Sequence, residues 1–241
     1  MNVQYRICNN SYTKNRLPFA TKEFCLKNCI DVFNGHNITV YGDNLNAETE
    51  QMVLSHVPTI KYVKISEGSS AQSFRCVFNT VLRDVTDNET CCFIEDDYLW
   101  RKLAPIVIEE GLARSEYITP YLHLDKFIPA KLGGNPEVDD AGSTICRVFK
   151  TEHSFFMTCN STTMTFASKI KTLKEDADIW NKHTVGEYPT DYQAFLELRD
   201  KGRTVAQCIP TCATHAETAW LAPLIGTGLN SWENLIEENK I

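Results

Sequence analysis

The chain has 241 residues, is 43% hydrophobic and 23% charged, and carries 24 basic against 31 acidic side chains, a net charge of −7. This globular mix excludes collagen, coiled coil and a disordered chain. An acidic chain without a basic run is unsuited to general nucleic-acid binding, because that affinity comes from neutralising phosphates; a single diphosphate gripped through a metal ion remains compatible with it.

The N-terminus, MNVQYRICNNSYTKNR, lacks the apolar core of a signal peptide, and no stretch approaches the ~20 apolar residues of a membrane span. The expectation is therefore a cytoplasmic protein whose ten cysteines stay reduced and whose N-x-S/T sequons at Asn9, Asn37, Asn88 and Asn160 are chance matches. Residues 3–8 read as a short buried strand, and 21–33 as a helix stopped by Gly35. Residues 37–44 read as a strand, 45–56 as a helix, 60–66 as a strand, 71–83 as an amphipathic helix and 90–94 as a buried strand. Such β–α alternation predicts an α/β fold with a mostly parallel twisted sheet flanked by helices. Later segments are less regular. Strands are expected at 117–122, 144–149 and 203–209, and helices at 164–176 and 190–201. Residues 129–143 read as a loop, and the tail after 216 is expected to pack through Trp220, Trp232 and Leu235.

Ligands of open α/β sheets bind at the carboxyl ends of the strands. That rule selects Asn9, Asn10 and Ser11 after the first strand, Asp43 after the second, 67–70 after the third, and Glu95, Asp96 and Asp97 after the fourth. Three adjacent acids on a strand tip repel one another unless solvent, a base or a cation relieves them, and carboxylate oxygens suit Mg²⁺ or Mn²⁺ carrying a diphosphate. A solvated acidic turn explains the triplet equally well. Gln72, Arg75 and Asn79 share one face of the 71–83 helix, whose N-terminus can offer N–H groups to an anion, with Arg75 as a bidentate phosphate partner. Asp191 opens a helix, where an acid is stabilised by the helix dipole but is also placed to act as a general base. Cys208, Cys212 and His215 have part of a zinc spacing without a fourth ligand, and the other cysteines read as small core residues. No P-loop motif is present.

The segments FIEDDYLW, YITPYLHLDKF, CNSTTMTFASKIKTLKED, PTDYQAFLEL and PTCATHAETAWLAP, in that order over residues 90–223, resemble small GT-A-type glycosyltransferases of large DNA viruses. The resemblance implies a nucleotide-sugar donor such as UDP-sugar, a divalent metal (Mn²⁺ or Mg²⁺) and transfer to a carbohydrate hydroxyl in glycan biosynthesis. By the same resemblance Glu95 and Asp96 belong to the acidic motif, Asp97 and His215 are the metal ligands, and Asp191 is the catalytic base of an inverting transfer. Asn9, Asn10, Ser11 and Asp43 then line the nucleoside site. Arg75, Asn79 and the helix N-terminus serve the diphosphate, and His123, Asp125 and Trp220 are candidates for the donor or acceptor sugar. The implied organisation is one GT-A-like domain, with a nucleotide-binding half (1–97), a sugar and acceptor half (98–223) and a tail (224–241). Two rival readings stand beside it: a nucleotidyltransferase on a similar sheet, and a carbohydrate-binding module without chemistry.

Overall fold

In the computed structural model, which describes residues 1–9, 15–223 and Trp232, the first half of the chain is a run of strands joined by helices. It comprises β1 (Asn2–Cys8), α1 (Lys22–Val32), β2 (Asn37–Asp43), α2 (Ala47–Leu54), β3 (Lys61–Ile65), α3 (Ser70–Asp84) and β4 (Thr90–Glu95). These are the elements expected between residues 3 and 94. The helix starts are set by side-chain caps. Thr21, Asn46 and Ser69 accept the N–H groups of Phe24 (3.1 Å), Thr49 (2.8 Å) and Gln72 (3.2 Å), satisfying donors that have no partner within the helix. β1 lies between β2 and β4, β2 pairs with β3, and all three pairings are parallel.

The second half contributes β5 (Tyr98–Trp100), α4 (Ala104–Leu112), β6 (Tyr117–Thr119), β7 (Val148–Lys150), β8 (Phe155–Cys159), β9 (Phe166–Lys169), α5 (Ile170–Glu175), α6 (Ala177–Lys182), α7 (Asp191–Asp200), β10 (Val205–Ile209) and β11 (Ala213–His215). The nine-stranded sheet runs β3-β2-β1-β4-β9-β6-β10-β8-β7, and β5 and β11 form a separate two-stranded sheet. Beyond β4 the sheet is mixed: β9 is antiparallel to both β4 and β6, β10 is parallel to β6, and β8 is antiparallel to β10.

The helix expected over 164–176 is divided. Its first part is β9, inserted between β4 and β6 with Phe166 and Ala167 fully buried, and helical structure begins only at Ile170. A short apolar run covered on both faces has no period that separates strand from helix. The strand expected at 144–149 is confined to Val148–Lys150, with Ile145 fully exposed before it. β5, α4, β8 and β11 had no counterpart in the sequence reading.

One apolar layer packs α1 and α4 on the sheet through Leu26, Ile30, Phe33, Val107 and Ile108. The other packs α3, α6 and α7 through Phe74, Phe78, Trp180 and Phe195, with Phe166 stacked on Trp180 at 4.7 Å between ring centres. The tail docks at Trp232, which is buried and donates its indole N–H to the Ala222 carbonyl (3.1 Å); Leu235 lies outside the described residues. None of the ten cysteines forms a disulfide, and no described helix is long and apolar enough to cross a membrane.

Candidate active site

The carboxyl ends of β1, β2 and β4, the N-terminus of α3 and the start of α7 surround a cleft of about 350 Å³. Asp43, Glu95, Asp96, Asp97, Asp191 and His215 all line it. Residues separated by more than a hundred positions in sequence thus share one site, where the topology of an open α/β sheet places it.

The acidic triplet is not left to repel itself. Arg6 on β1 donates to Glu95 Oε1 (3.2 Å) and to the Ser70 carbonyl (3.0 Å). Lys22 at the start of α1 pairs with Asp96 Oδ2, which also accepts the Cys8 N–H at 3.1 Å. Arg16 reaches Asp97 Oδ2 at 3.5 Å. Each acid therefore has a base from a different part of the chain, which offsets the burial of negative charge. Asp96 fastens the end of β1 to β4 through these contacts, a structural task within the cleft wall.

Asp97 and His215 meet because of the small second sheet. β11 pairs with β5 in a register that sets His215 opposite Tyr98, so the imidazole lands beside the residue preceding Tyr98. The Ala216 N–H donates to the Asp97 carbonyl (2.7 Å), and the buried Tyr98 ring stands edge-on to the imidazole at 5.1 Å. His215 Nε2 lies 3.2 Å from Asp97 Oδ2. Neighbouring ligands of an octahedral ion with bonds of about 2.1 Å are about 3.0 Å apart, so this oxygen and nitrogen have the spacing of a bound pair. His215 Nδ1 accepts the Glu217 backbone N–H (3.3 Å), and Glu217 Oε2 lies 3.8 Å from the same nitrogen. One carboxylate and one imidazole are a donor set that fits a divalent cation.

Asp191 opens α7 with Thr190 as the N-cap residue, whose hydroxyl is engaged by His183 Nδ1 (2.8 Å) and makes no capping bond. Asp191 Oδ1 accepts its neighbour's N–H, that of Tyr192, at 2.7 Å. Burial pushes the carboxyl above its usual range, opposed by that hydrogen bond and by the nearby His123 and Lys126 side chains. The loop before it is held over the cleft by the Glu187 carbonyl accepting the Ala71 N–H (3.2 Å) and the Val185 carbonyl accepting Gln72 Nε2 (2.6 Å).

Other expected residues are held by contacts within the protein. Asp43 lines the cleft, but its carboxylate is spent on the turn before α3, accepting the N–H groups of Glu67 (2.8 Å) and of Gly68 (3.1 Å), the latter at φ +76°. Asn9 does not line the cleft; its amide ties β1 to the start of α2, donating to Thr49 Oγ1 (2.8 Å) and accepting the Asn46 N–H (2.7 Å). Arg75 and Asn79 turn away from the cleft to α6, both donating to Asn181 Oδ1, at 3.3 and 3.1 Å. The Ala71, Gln72 and Ser73 N–H groups at the α3 N-terminus already have protein acceptors, so α3 offers the cleft its serines rather than an open row of donors. Asn10 and Ser11 lie outside the described residues.

His123, Asp125 and Trp220 do come together, but beside the cleft rather than in its lining. The His123 ring stacks on Trp220 at 5.0 Å, and its Nδ1 is 2.8 Å from Asp125 Oδ1. The zinc alternative falls: Cys208 Sγ donates to the Pro120 carbonyl (3.4 Å) and His215 is directed at Asp97. Among the described residues three ligating side chains converge only at Glu110, Glu152 and His153, none of which lines the cleft.

The sequence reading overlooked Arg6, Arg16 and Lys22. Arg6 carried a usable signal, because a charged residue inside a buried strand, VQYRIC, demands a partner. Thr163, Met164 and the 187–189 segment also line the cleft.

No protein-family profile matches the chain, and no curated protein is significantly similar in sequence. Solved structures do share its fold. The galactosyltransferase LgtC, in complex with donor and acceptor sugar analogs, aligns with a TM-score of 0.53 and 9% identity over 100% of this chain and 95% of that one. The S. aureus TarS 1-349 fragment in complex with UDP-GlcNAc aligns at 0.50 and 13% identity over 88% of this chain, which spans 57% of the fragment's length. The inositol-1-phosphate CTP transferase of T. maritima aligns at 0.50 and 12% identity over 99% of this chain and 96% of that one. The chain thus has a GT-A-like fold, common to glycosyltransferases and nucleotidyltransferases.

Proposed function

We propose that the protein is an inverting glycosyltransferase that moves a sugar from a nucleoside-diphosphate donor, UDP-sugar, to a carbohydrate hydroxyl. The observation that carries this reading is the convergence in one cleft of the Asp97–His215 pair, 3.2 Å apart, with a carboxyl at Asp191 whose pKa is raised. In the proposed reaction Asp191 accepts the proton of the acceptor hydroxyl as that oxygen attacks the anomeric carbon from the face opposite the diphosphate. A raised pKa suits this work, because it makes the carboxylate a better proton acceptor at neutral pH. Asp97 and His215 would hold a divalent ion, which supplies charge neutralisation to the departing diphosphate. The imidazole nitrogen favours Mn²⁺ over Mg²⁺, a hard ion that prefers oxygen. The stacked His123–Trp220 pair near Asp191 offers an apolar face and a polar edge to a sugar ring. The chain would act as one domain, residues 1–97 carrying the nucleotide and 98–223 the sugar and acceptor. The resemblance to small transferases of large DNA viruses supports the same reading.

The test is a thermal-shift panel of nucleotide sugars with and without Mn²⁺, followed by product analysis with the stabilising donor. Release of UDP with inversion at the anomeric carbon is expected. Release of pyrophosphate from a nucleoside triphosphate would instead establish a nucleotidyltransferase, a reading favoured by the fold shared with the T. maritima CTP transferase but one in which Asp191 has no role. Sugar binding that is indifferent to EDTA, without turnover, would leave a binding module.

A further inference from the structure

The three acid–base pairs at the tip of β4 are not equivalent. Arg6 is anchored at two points, Glu95 and the Ser70 carbonyl, and its guanidinium lies 5.4 Å from the centre of the Phe74 ring. Lys22 and the Cys8 N–H share Asp96 Oδ2. Arg16 meets Asp97 Oδ2 at 3.5 Å, the outer edge of hydrogen-bond reach, on the same oxygen that faces His215 Nε2. Its backbone is nonetheless fastened beside His215. The Leu17 N–H donates to the Ala216 carbonyl (3.0 Å), the Thr218 N–H donates to the Asn15 carbonyl (2.8 Å), and residue 16 forms a β-bridge with Glu217. A long side chain thus extends from a fastened backbone at the wall of the cleft.

A cation held between Asp97 Oδ2 and His215 Nε2 would compete with the Arg16 guanidinium for the same oxygen and repel it. We infer that Arg16 is a charge placeholder: it neutralises Asp97 in the metal-free protein, surrenders that oxygen to the entering divalent cation, and turns its planar fork onto the diphosphate of the donor. Guanidinium suits this exchange, because the same pair of N–H donors matches a carboxylate and a phosphate. The consequence is coupling. Metal alone must displace Arg16 and gains little, whereas metal with a nucleoside diphosphate gives the displaced charge a new partner, so each ligand tightens the other by the same factor. This inference rests on the metal reading proposed above and adds to it a positioning residue that orders metal and donor binding.

The test titrates Mn²⁺ into the protein, with and without UDP, and follows free Mn²⁺ by electron paramagnetic resonance for wild type, Arg16→Gln, Arg16→Lys and Asp97→Asn, each checked for folding by circular dichroism. Arg16→Gln is expected to bind Mn²⁺ alone about fivefold tighter than wild type and to show a UDP-induced gain in Mn²⁺ affinity smaller by at least the same factor. Arg16→Lys, which keeps the charge but lacks the fork, should match wild type for Mn²⁺ alone and show a reduced UDP effect. A residue with a merely structural role would weaken Mn²⁺ binding under both conditions. Arg16→Gln binding Mn²⁺ alone no tighter than wild type, or either variant retaining the full UDP effect, overturns the inference. Equal Mn²⁺ binding by wild type and Asp97→Asn is a different result: it removes the metal site itself, and the role of Arg16 with it.

Discussion

An acid in the first turn of a helix is ordinarily favoured by the helix dipole, yet at Asp191 desolvation prevails and the carboxyl is pushed up. The folded chain therefore holds that proton more tightly than the unfolded chain. The associated stability is fully present below the ordinary carboxyl range and is lost as pH rises through the raised value, so at neutral pH the buried charge destabilises the fold. Asp191→Asn keeps the acceptor for the Tyr192 N–H and removes the charge. Its thermal midpoint at neutral pH should rise, by about 2–4 °C for each kcal/mol recovered, while turnover falls roughly 10²–10⁴-fold with donor binding intact. Scanning calorimetry and steady-state kinetics on the same preparation check both halves; near wild-type turnover sinks the base assignment. In the wild type, turnover should climb with pH through the raised carboxyl value, since only the ionised form accepts a proton. At Asp97 the proposed metal role predicts loss of binding: Asp97→Asn should weaken UDP at saturating Mn²⁺ by about a hundredfold, as read by calorimetric titration, because a charged carboxylate is replaced by a neutral, weaker oxygen donor. Unchanged UDP affinity would leave Asp97 as a structural acid.

At the scale of elements, the small β5–β11 sheet brings Asp97 and His215 together, and α4 packs on the large sheet. Gly111 near the end of α4 packs against Ile118 of β6 and Phe156 of β8. A Cβ there would meet Ile118 Cδ1 at 2.7 Å and Phe156 Cε1 at 2.8 Å, both on fully buried side chains. Alanine improves helix propensity by about 1 kcal/mol, whereas overpacking of a tight core costs about 1–3 kcal/mol, so the clash should win. Gly111→Ala is expected to lower the urea midpoint with an unchanged denaturant slope. A stabilised variant would show that α4 can slide on the sheet. The elements that the sequence left illegible share a physical trait. β9 is buried on both faces, so FASK has no alternation to read, and β5 and β11 are three-residue strands whose pairing spans more than a hundred residues. The β–α run through β4 was legible because each of its helices has a cap and each of its strands a turn signal.

For the whole molecule, metal and donor should act on stability together. A ligand that binds only the folded state stabilises it by about 2.7 kcal/mol at a hundred times its dissociation constant. For a chain of this size that corresponds to a rise of roughly 5–10 °C in thermal midpoint with Mn²⁺ and UDP combined. EDTA should abolish the shift, and UDP or Mn²⁺ alone should give much less. An equal shift with UDP in EDTA would mean that the protein's own cations, Arg6, Arg16 and Lys22, hold the diphosphate without metal.

Local residue patterns specify the β–α framework up to residue 95, the strand-end positions where a site had to lie, and the chemical types, carboxylates and an imidazole, that could occupy it. Those follow from local rules, since periodicity, caps and side-chain chemistry are written in neighbouring residues. Only the tertiary structure decided which of the candidates meet. It placed Asp97 and His215 against each other through a two-stranded register, turned Arg75 and Asn79 to Asn181, and gave each acid of the triplet a base. Pairing across a hundred residues is set by packing and charge balance in three dimensions, and a linear pattern carries no trace of it.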